Sequence, residues 1–294
     1  MQEGIQLNKK FLSLMLVLVL VSLVIAGCGA DKSEKEEDPA PSKAGESSGE
    51  LQDGFYLVKM PVGDQDNYPL ATMEVDNGEI IAFEYVEILA DSGEEKNEGN
   101  YKYEEGLKVL ANLNEQFNEK KDLDEVDFDA VSGATYTKES FKEIVPMLLE
   151  KAEKGEAHDP VYKDGEYEAK ADEDSHGWLS EVKVIVKDGE IVGVDFYDVA
   201  TEDMEGQKVV LDDENEPVME GDEPKTEPTD VKKGDIKSLE NYAYLPSFDT
   251  IKAIRKQIIE NNGVEDLELD AVSGATNTKD TMIDLVTKAL EEAE

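Results

Sequence analysis

The sequence is poor in the side chains that bind metals or close disulfides: one cysteine and two histidines in 294 residues. That is too few for a haem, zinc or iron–sulfur site of usual composition. No disulfide can form within one chain. Positive charge is scarce as well. Lys and Arg number 29 against 71 Asp and Glu, a formal net charge of −42. A nucleic-acid backbone repels such a surface, which sets nucleic-acid binding aside. The excess acid has two readings that the sequence does not separate: a solvated surface, or attraction of cationic partners or metal ions. No acid–base pair or nucleophile constellation stands out, so no catalytic residue and no metal ligand is assigned.

What is present begins at the N-terminus. Lys9 and Lys10 precede an apolar run from Phe11 to Ala26, followed by Gly27 and Cys28. A basic start, a short apolar stretch and small residues before a cut read as a secretory signal rather than a spanning helix. Ile25-Ala26-Gly27-Cys28 resembles a bacterial lipobox, in which the cysteine is lipidated and becomes the new N-terminus. Lipidation of Cys28 implies anchoring at a membrane surface without a span. Residues 29–50 are rich in Glu, Lys, Ser and Pro and lack apolar periodicity. They are expected to form a disordered tether with an end-to-end distance of roughly 25 Å.

The remainder is an internal duplication. Asp129-Ala130-Val131-Ser132-Gly133-Ala134-Thr135 recurs as Asp270-Ala271-Val272-Ser273-Gly274-Ala275-Thr276, an offset of 141. One variable residue and then Thr-Lys follow each copy: Thr137-Lys138 and Thr278-Lys279. The same offset relates Asn100-Tyr101-Lys102-Tyr103 to Asn241-Tyr242-Ala243-Tyr244. It also maps Leu110, Leu113 and Phe117 onto Ile251, Ile254 and Ile258, whose spacing gives one helix face. After the motif, Phe141, Ile144, Val145, Leu148 and Leu149 map onto Met282, Leu285, Val286, Ala289 and Leu290, a second such face. Nearer the start of each unit the offset is 111. Asp53-Gly54 matches Asp164-Gly165, and the turn dipeptide Asn77-Gly78 matches Asp188-Gly189. Alternating Val182, Val184 and Val186 before Asp188-Gly189, with Ile191 to Val194 after it, predicts a β-hairpin.

The change of offset means a 30-residue insertion in the second unit, placed at about 201–230, where the chain is acidic and Pro-bearing. It reads as an irregular surface loop. Each unit is strands, a helix, the motif loop and a C-terminal helix, so the fold class is α+β: tandem homologous domains, each an antiparallel sheet with packed helices. The expected divisions are a signal peptide over 1–27, the lipidated cysteine and tether over 28–50, a first domain over 51–156 and a second over 157–294. His158, in the interdomain linker, is expected to be solvated.

Ser-Gly-Ala-Thr before an amphipathic segment reads as a helix start, with Ser132 or Thr135 as N-cap. A cap needs one suitable residue, however, and here a string of seven occurs twice. The string resembles the flavinylation site of the FMN-binding domain family, D-x-x-[ST]-G-A-[TS], and both copies match it in full. The family includes flavin-carrying subunits of sodium-pumping NADH:quinone oxidoreductases and of Rnf complexes. It also includes flavinylated lipoproteins of extracellular electron transfer in Gram-positive bacteria, which the lipobox, tether and doubled domain resemble most.

The resemblance implies covalent FMN, two per chain, joined by its phosphate to the hydroxyls of Thr135 and Thr276. It implies a flavin transferase that takes FMN from FAD after export, and a place on the outer face of the cell membrane. Donors would be membrane quinol-linked components, and acceptors extracellular ones such as ferric iron. Other functions kept in view are a flavin-dependent extracellular reductase and a non-redox lipid-anchored binding module.

The residue types suit that chemistry. Gly133 and Gly274 let backbone approach a phosphate, and Ala134 and Ala275 keep the site open. Ser132 and Ser273 complete the pattern, and a following helix presents N–H groups to an anion. Asp129 and Asp270 read either as helpers of the transferase or as turn formers. Thr137 and Thr278 read either as donors to phosphate or as first-turn residues. Tyr101, Tyr103, Tyr242 and Tyr244 read as a wall for the flavin ring or as packing against the next helix. Trp178, with Tyr68 as its rough counterpart, reads as a stacking residue or as half-buried core.

Overall fold

The computed structural model describes residues 49–269 and 274–293. The signal sequence, Cys28, most of the tether, Asp270 and Ser273 lie outside the described residues. The first half runs β1 (Gly54–Lys59), β2 (Asn67–Asp76), β3 (Glu79–Leu89), α1 (Glu104–Lys120), α2 (Thr135–Lys154). The second runs β4 (Gly165–Lys170), β5 (Trp178–Lys187), β6 (Glu190–Ala200), then β7 (Met204–Val209), β8 (Met219–Glu220), β9 (Glu223–Pro224), β10 (Thr226–Val231), α3 (Leu245–Asn261) and α4 (Thr276–Leu290). Each half is α+β, with a three-stranded antiparallel sheet in the order β1-β2-β3 or β4-β5-β6. No helix among the described residues is long and apolar enough to cross a membrane.

The predicted hairpins form with type I′ turns. Asn77 and Gly78 have φ 53° and 77°, and Asp188 and Gly189 have 53° and 74°, the left-handed pair whose twist matches the strands. The repeated Asp before each first strand explains itself here. Asp53 accepts from the Gly78 amide at 2.9 Å, and Asp164 from the Gly189 amide at 2.8 Å. The two helices of each half cover one sheet face. In the first, Phe83, Tyr85, Phe117 and Phe141 pack as tilted and edge-on rings 4.4 to 5.7 Å apart. Both apolar helix faces expected from periodicity are buried, with Leu113, Phe117, Ile144, Leu148, Ile254, Ile258, Met282 and Val286 almost inaccessible. Each such side chain contributes about 1.5–3 kcal/mol to docking its helix.

The insertion is ordered as a β-ribbon rather than an irregular loop. β7 pairs with β10, and β8 with β9, both antiparallel. Of the residues in these strands only Val209 and Val231 are fully buried, which is why the acidic, Pro-bearing sequence hides them. Pro228 is tolerated because β10 pairs on one side only. The ribbon's base is pinned by Val231 and Met204 against Trp178 and Ala200.

The two halves share one hydrophobic cluster. Tyr68, Leu70, Val86 and Ile88, on the sheet face turned away from α1 and α2, pack with residues of β5, β6, α3 and α4. Residue 90 covers the edge strand β6, where the Val194 amide donates to the Ala90 carbonyl at 2.9 Å. Gly193 abuts Gly93 so closely that a Cβ there would lie 2.3 Å from the Gly93 nitrogen. The sole arginine, Arg255, reaches from α3 to donate to the Val194 carbonyl at 2.7 Å and to pair with Asp66 of the first half. Lys59 pairs with Glu190 at 2.5 Å and donates to the Ile259 carbonyl at 2.9 Å. His158 is not solvated. Its ring is 8% exposed and its Nε2 lies 2.6 Å from the Asp188 carbonyl, because the linker is folded into this interface.

Candidate functional site

The motif loop of each half leads into the helix that closes its sheet. Thr135 is the first residue of α2 and Thr276 the first of α4, and both are exposed. The cap position is held by neither Ser132 nor Thr135. Ala134 stands there with φ 46° and ψ 52°, Ala275 stands at the equivalent place, and neither helix has a side-chain cap. The first-turn amides have no partner within the helix, and alanine cannot supply one. What remains is a ring of N–H donors and the positive end of the helix dipole around each threonine.

The loop reaches this geometry through its glycine. Gly133 and Gly274 have φ 87° and 93°, a region costly to residues with a Cβ. Gly133 faces Glu105 of α1, and Gly274 faces Pro246 of α3, positions again 141 apart. The repeated lysine tethers the loop: Lys138 donates to the Val131 carbonyl at 2.6 Å, and Lys279 to the Leu269 carbonyl at 3.3 Å. Asp129 is exposed, and its amide donates to Asp127 at 3.0 Å.

Tyr103 and Tyr244 occupy the cap positions of α1 and α3 and are 56% and 48% exposed. Tyr136, next to Thr135, is 52% exposed. Three large exposed rings thus stand around the two loops. Tyr101 lies edge-on to Tyr103 at 5.5 Å, and Tyr242 edge-on to Trp178 at 6.3 Å. Burial, and then the Glu87 carboxylate, push the Tyr101 hydroxyl above its ordinary pKa; burial and then Asp198 do the same for Tyr242. Trp178 is buried. Its counterpart is Asn67 rather than Tyr68, since Trp178 faces Ala200 across the sheet as Asn67 faces Leu89. Thr137 is buried and donates to Glu87 at 2.6 Å, so its hydroxyl points into the domain. Thr278 is half-buried.

Beneath these residues lie two ion pairs that no sequence motif marks. Glu87 pairs with Lys96 at 2.7 Å and Asp198 with Lys237 at 2.5 Å. The lysine amides also donate to the backbone of their acids, at 2.8 and 2.9 Å. Each ammonium lies over a tyrosine of the repeated Asn-Tyr segment: Lys96 over Tyr101 at 4.4 Å, Lys237 over Tyr242 at 4.5 Å. The repeated asparagine sets this turn, with Asn100 donating to the Glu95 carbonyl at 3.0 Å and Asn241 to the Ile236 carbonyl at 2.9 Å. The signal was available. Lys96 and Lys237 obey the offset of 141, Glu87 and Asp198 that of 111.

A family model described as FMN-binding domain matches residues 70–150 and 177–291, one segment in each half. The crystal structure of the CPE2226 protein from Clostridium perfringens is similar over 37% of this chain and 93% of that chain, at 23% identity and a TM-score of 0.31. No curated protein matches the chain.

Proposed function

Because this chain belongs to the FMN-binding domain family, whose model matches both of its halves, we propose that it is an extracellular electron carrier, lipid-anchored through Cys28 and holding FMN on Thr135 and Thr276. One observation carries the attachment reading. In both repeats the motif threonine is the exposed first residue of a helix whose amide donors no side chain caps. A hydroxyl can form a phosphoester, and uncapped amides suit the phosphate that would be joined to it. The exposed rings of Tyr103, Tyr136 and Tyr244 offer apolar surface beside the attachment point.

The bound flavin would supply the redox chemistry, and the protein the attachment, position and charge. Outside a cell a dissociable FMN would be lost, which gives covalent attachment its purpose. A transferase using FAD would load the protein after export. Electrons would arrive from membrane quinol-linked donors and leave to acceptors such as ferric iron.

Mixing the loaded, reduced protein with a ferric chelate under anoxic conditions tests the carrier role. Each reduced FMN is expected to give one electron to each of two ferric ions, with full return of oxidised-flavin absorbance. Flavin that stays reduced beside excess ferric chelate would contradict the proposal.

A further inference from the structure

Resting on the flavin reading above, we infer that the buried pairs Glu87–Lys96 and Asp198–Lys237 are positioning groups of the two sites: they fix the aromatic side chains beside each acceptor helix and set the charge that bound flavin meets.

Both pairs are nearly dry, with side-chain exposures of 5% and 4% for Lys96 and Glu87 and of 14% and 10% for Lys237 and Asp198. A buried ion pair contributes little net stability relative to apolar residues of the same volume. Stability alone therefore does not account for building it twice. In the second half the whole β7–β10 ribbon intervenes between acid and lysine, yet the pair and its backbone bridge are rebuilt.

The location is specific. Strand side chains alternate between faces, so Glu87 continues the row Phe83–Tyr85 on the helix side, and Asp198 the row Val194–Phe196. Glu87 then reaches the first turn of α2 through Thr137, two residues from Thr135. The two sites also differ. Asp198 is one methylene shorter and accepts from Ser180 at 2.5 Å instead. Lys237 lies over Trp178 at 4.9 Å as well as over Tyr242, where Lys96 donates to Asn67 at 3.0 Å. The first site couples its carboxylate to the acceptor helix, and the second surrounds its ammonium with rings.

Two-electron reduction adds negative charge to a flavin. An ammonium nearby favours that change, and a carboxylate opposes it. Neither member of the pair gains or loses an electron. Removing one member leaves the other uncompensated in a dry setting, so the two removals act in opposite directions.

The test uses Thr276→Val protein loaded by a flavin transferase, so that any flavin sits on Thr135, and reads its midpoint potential at neutral pH. Glu87→Gln is expected to raise the ratio of reduced to oxidised flavin at fixed potential by about tenfold, about 30 mV for a two-electron couple. Lys96→Met is expected to lower it by a similar factor. In Thr135→Val protein, Asp198→Asn and Lys237→Met are expected to do the same at the second site. Lys154→Met, at the far exposed end of α2, is expected to leave the potential unchanged. Far-ultraviolet circular dichroism checks the fold. Should a lysine variant fail to fold, the isosteric Glu87→Gln carries the test alone, and its potential must rise. Failure of Thr276→Val protein to take up flavin would count against the flavin reading itself. Flavin present, with potentials that do not move or move in the same direction, would overturn the role assigned to the pairs.

Discussion

Protein carrying both Thr135→Val and Thr276→Val is expected to hold no covalent flavin after production with a flavin transferase, and each single variant to hold half of the parent's content. Valine matches threonine in shape but lacks the hydroxyl, so the bond to phosphate cannot form. Both positions are exposed first residues of their helices, and neither hydroxyl fills a cap. Their loss is therefore expected to change thermal stability by no more than about 0.5 kcal/mol. Flavin absorbance of denatured, desalted protein reads the result. Flavin retained by the double variant would place the attachment elsewhere. A stability loss of several kcal/mol would show that the threonines serve the fold.

The second large effect concerns the fold. Arg255→Met is expected to destabilise the protein by about 2–4 kcal/mol, because it strips the half-buried Asp66 carboxylate and the buried Val194 carbonyl of a partner. The fall in Tm is expected to be on the order of 10 °C for a chain of this size. Arg255→Lys keeps the charge but loses the planar fork that serves both acceptors, so it is expected to fall between. Calorimetry checks this, and an unchanged Tm in Arg255→Met would mean that the two halves do not depend on this contact. The shared cluster and the Arg255, Lys59 and Tyr68 contacts join the halves as one body, so flavins carried on Thr135 and Thr276 would keep a fixed relation to each other.

Local signals were the legible ones. The duplication, the Asn77-Gly78 and Asp188-Gly189 turns and the apolar faces of all four helices follow from spacing and turn chemistry, which act over a few residues. What escaped the sequence was tertiary. Glu87 and Asp198 read as ordinary polar strand positions until the face they point to is known. The ribbon over Met204–Val231 buries too few apolar side chains to announce its strands. His158 lies in a polar linker whose burial comes from packing between halves. The sequence marks the helix start, whereas general preference puts a hydroxyl at its cap. Here the glycine-led turn puts Ala134 at that position and leaves the amides free.

The proposed function rests on covalent FMN at two equivalent threonines. The most direct test is the intact mass of the mature protein produced with an active flavin transferase, followed by peptide mapping. Two FMN-sized additions are expected, one on the peptide holding Thr135 and one on the peptide holding Thr276. An unmodified mass, with the same transferase active on another substrate, would contradict the proposed function.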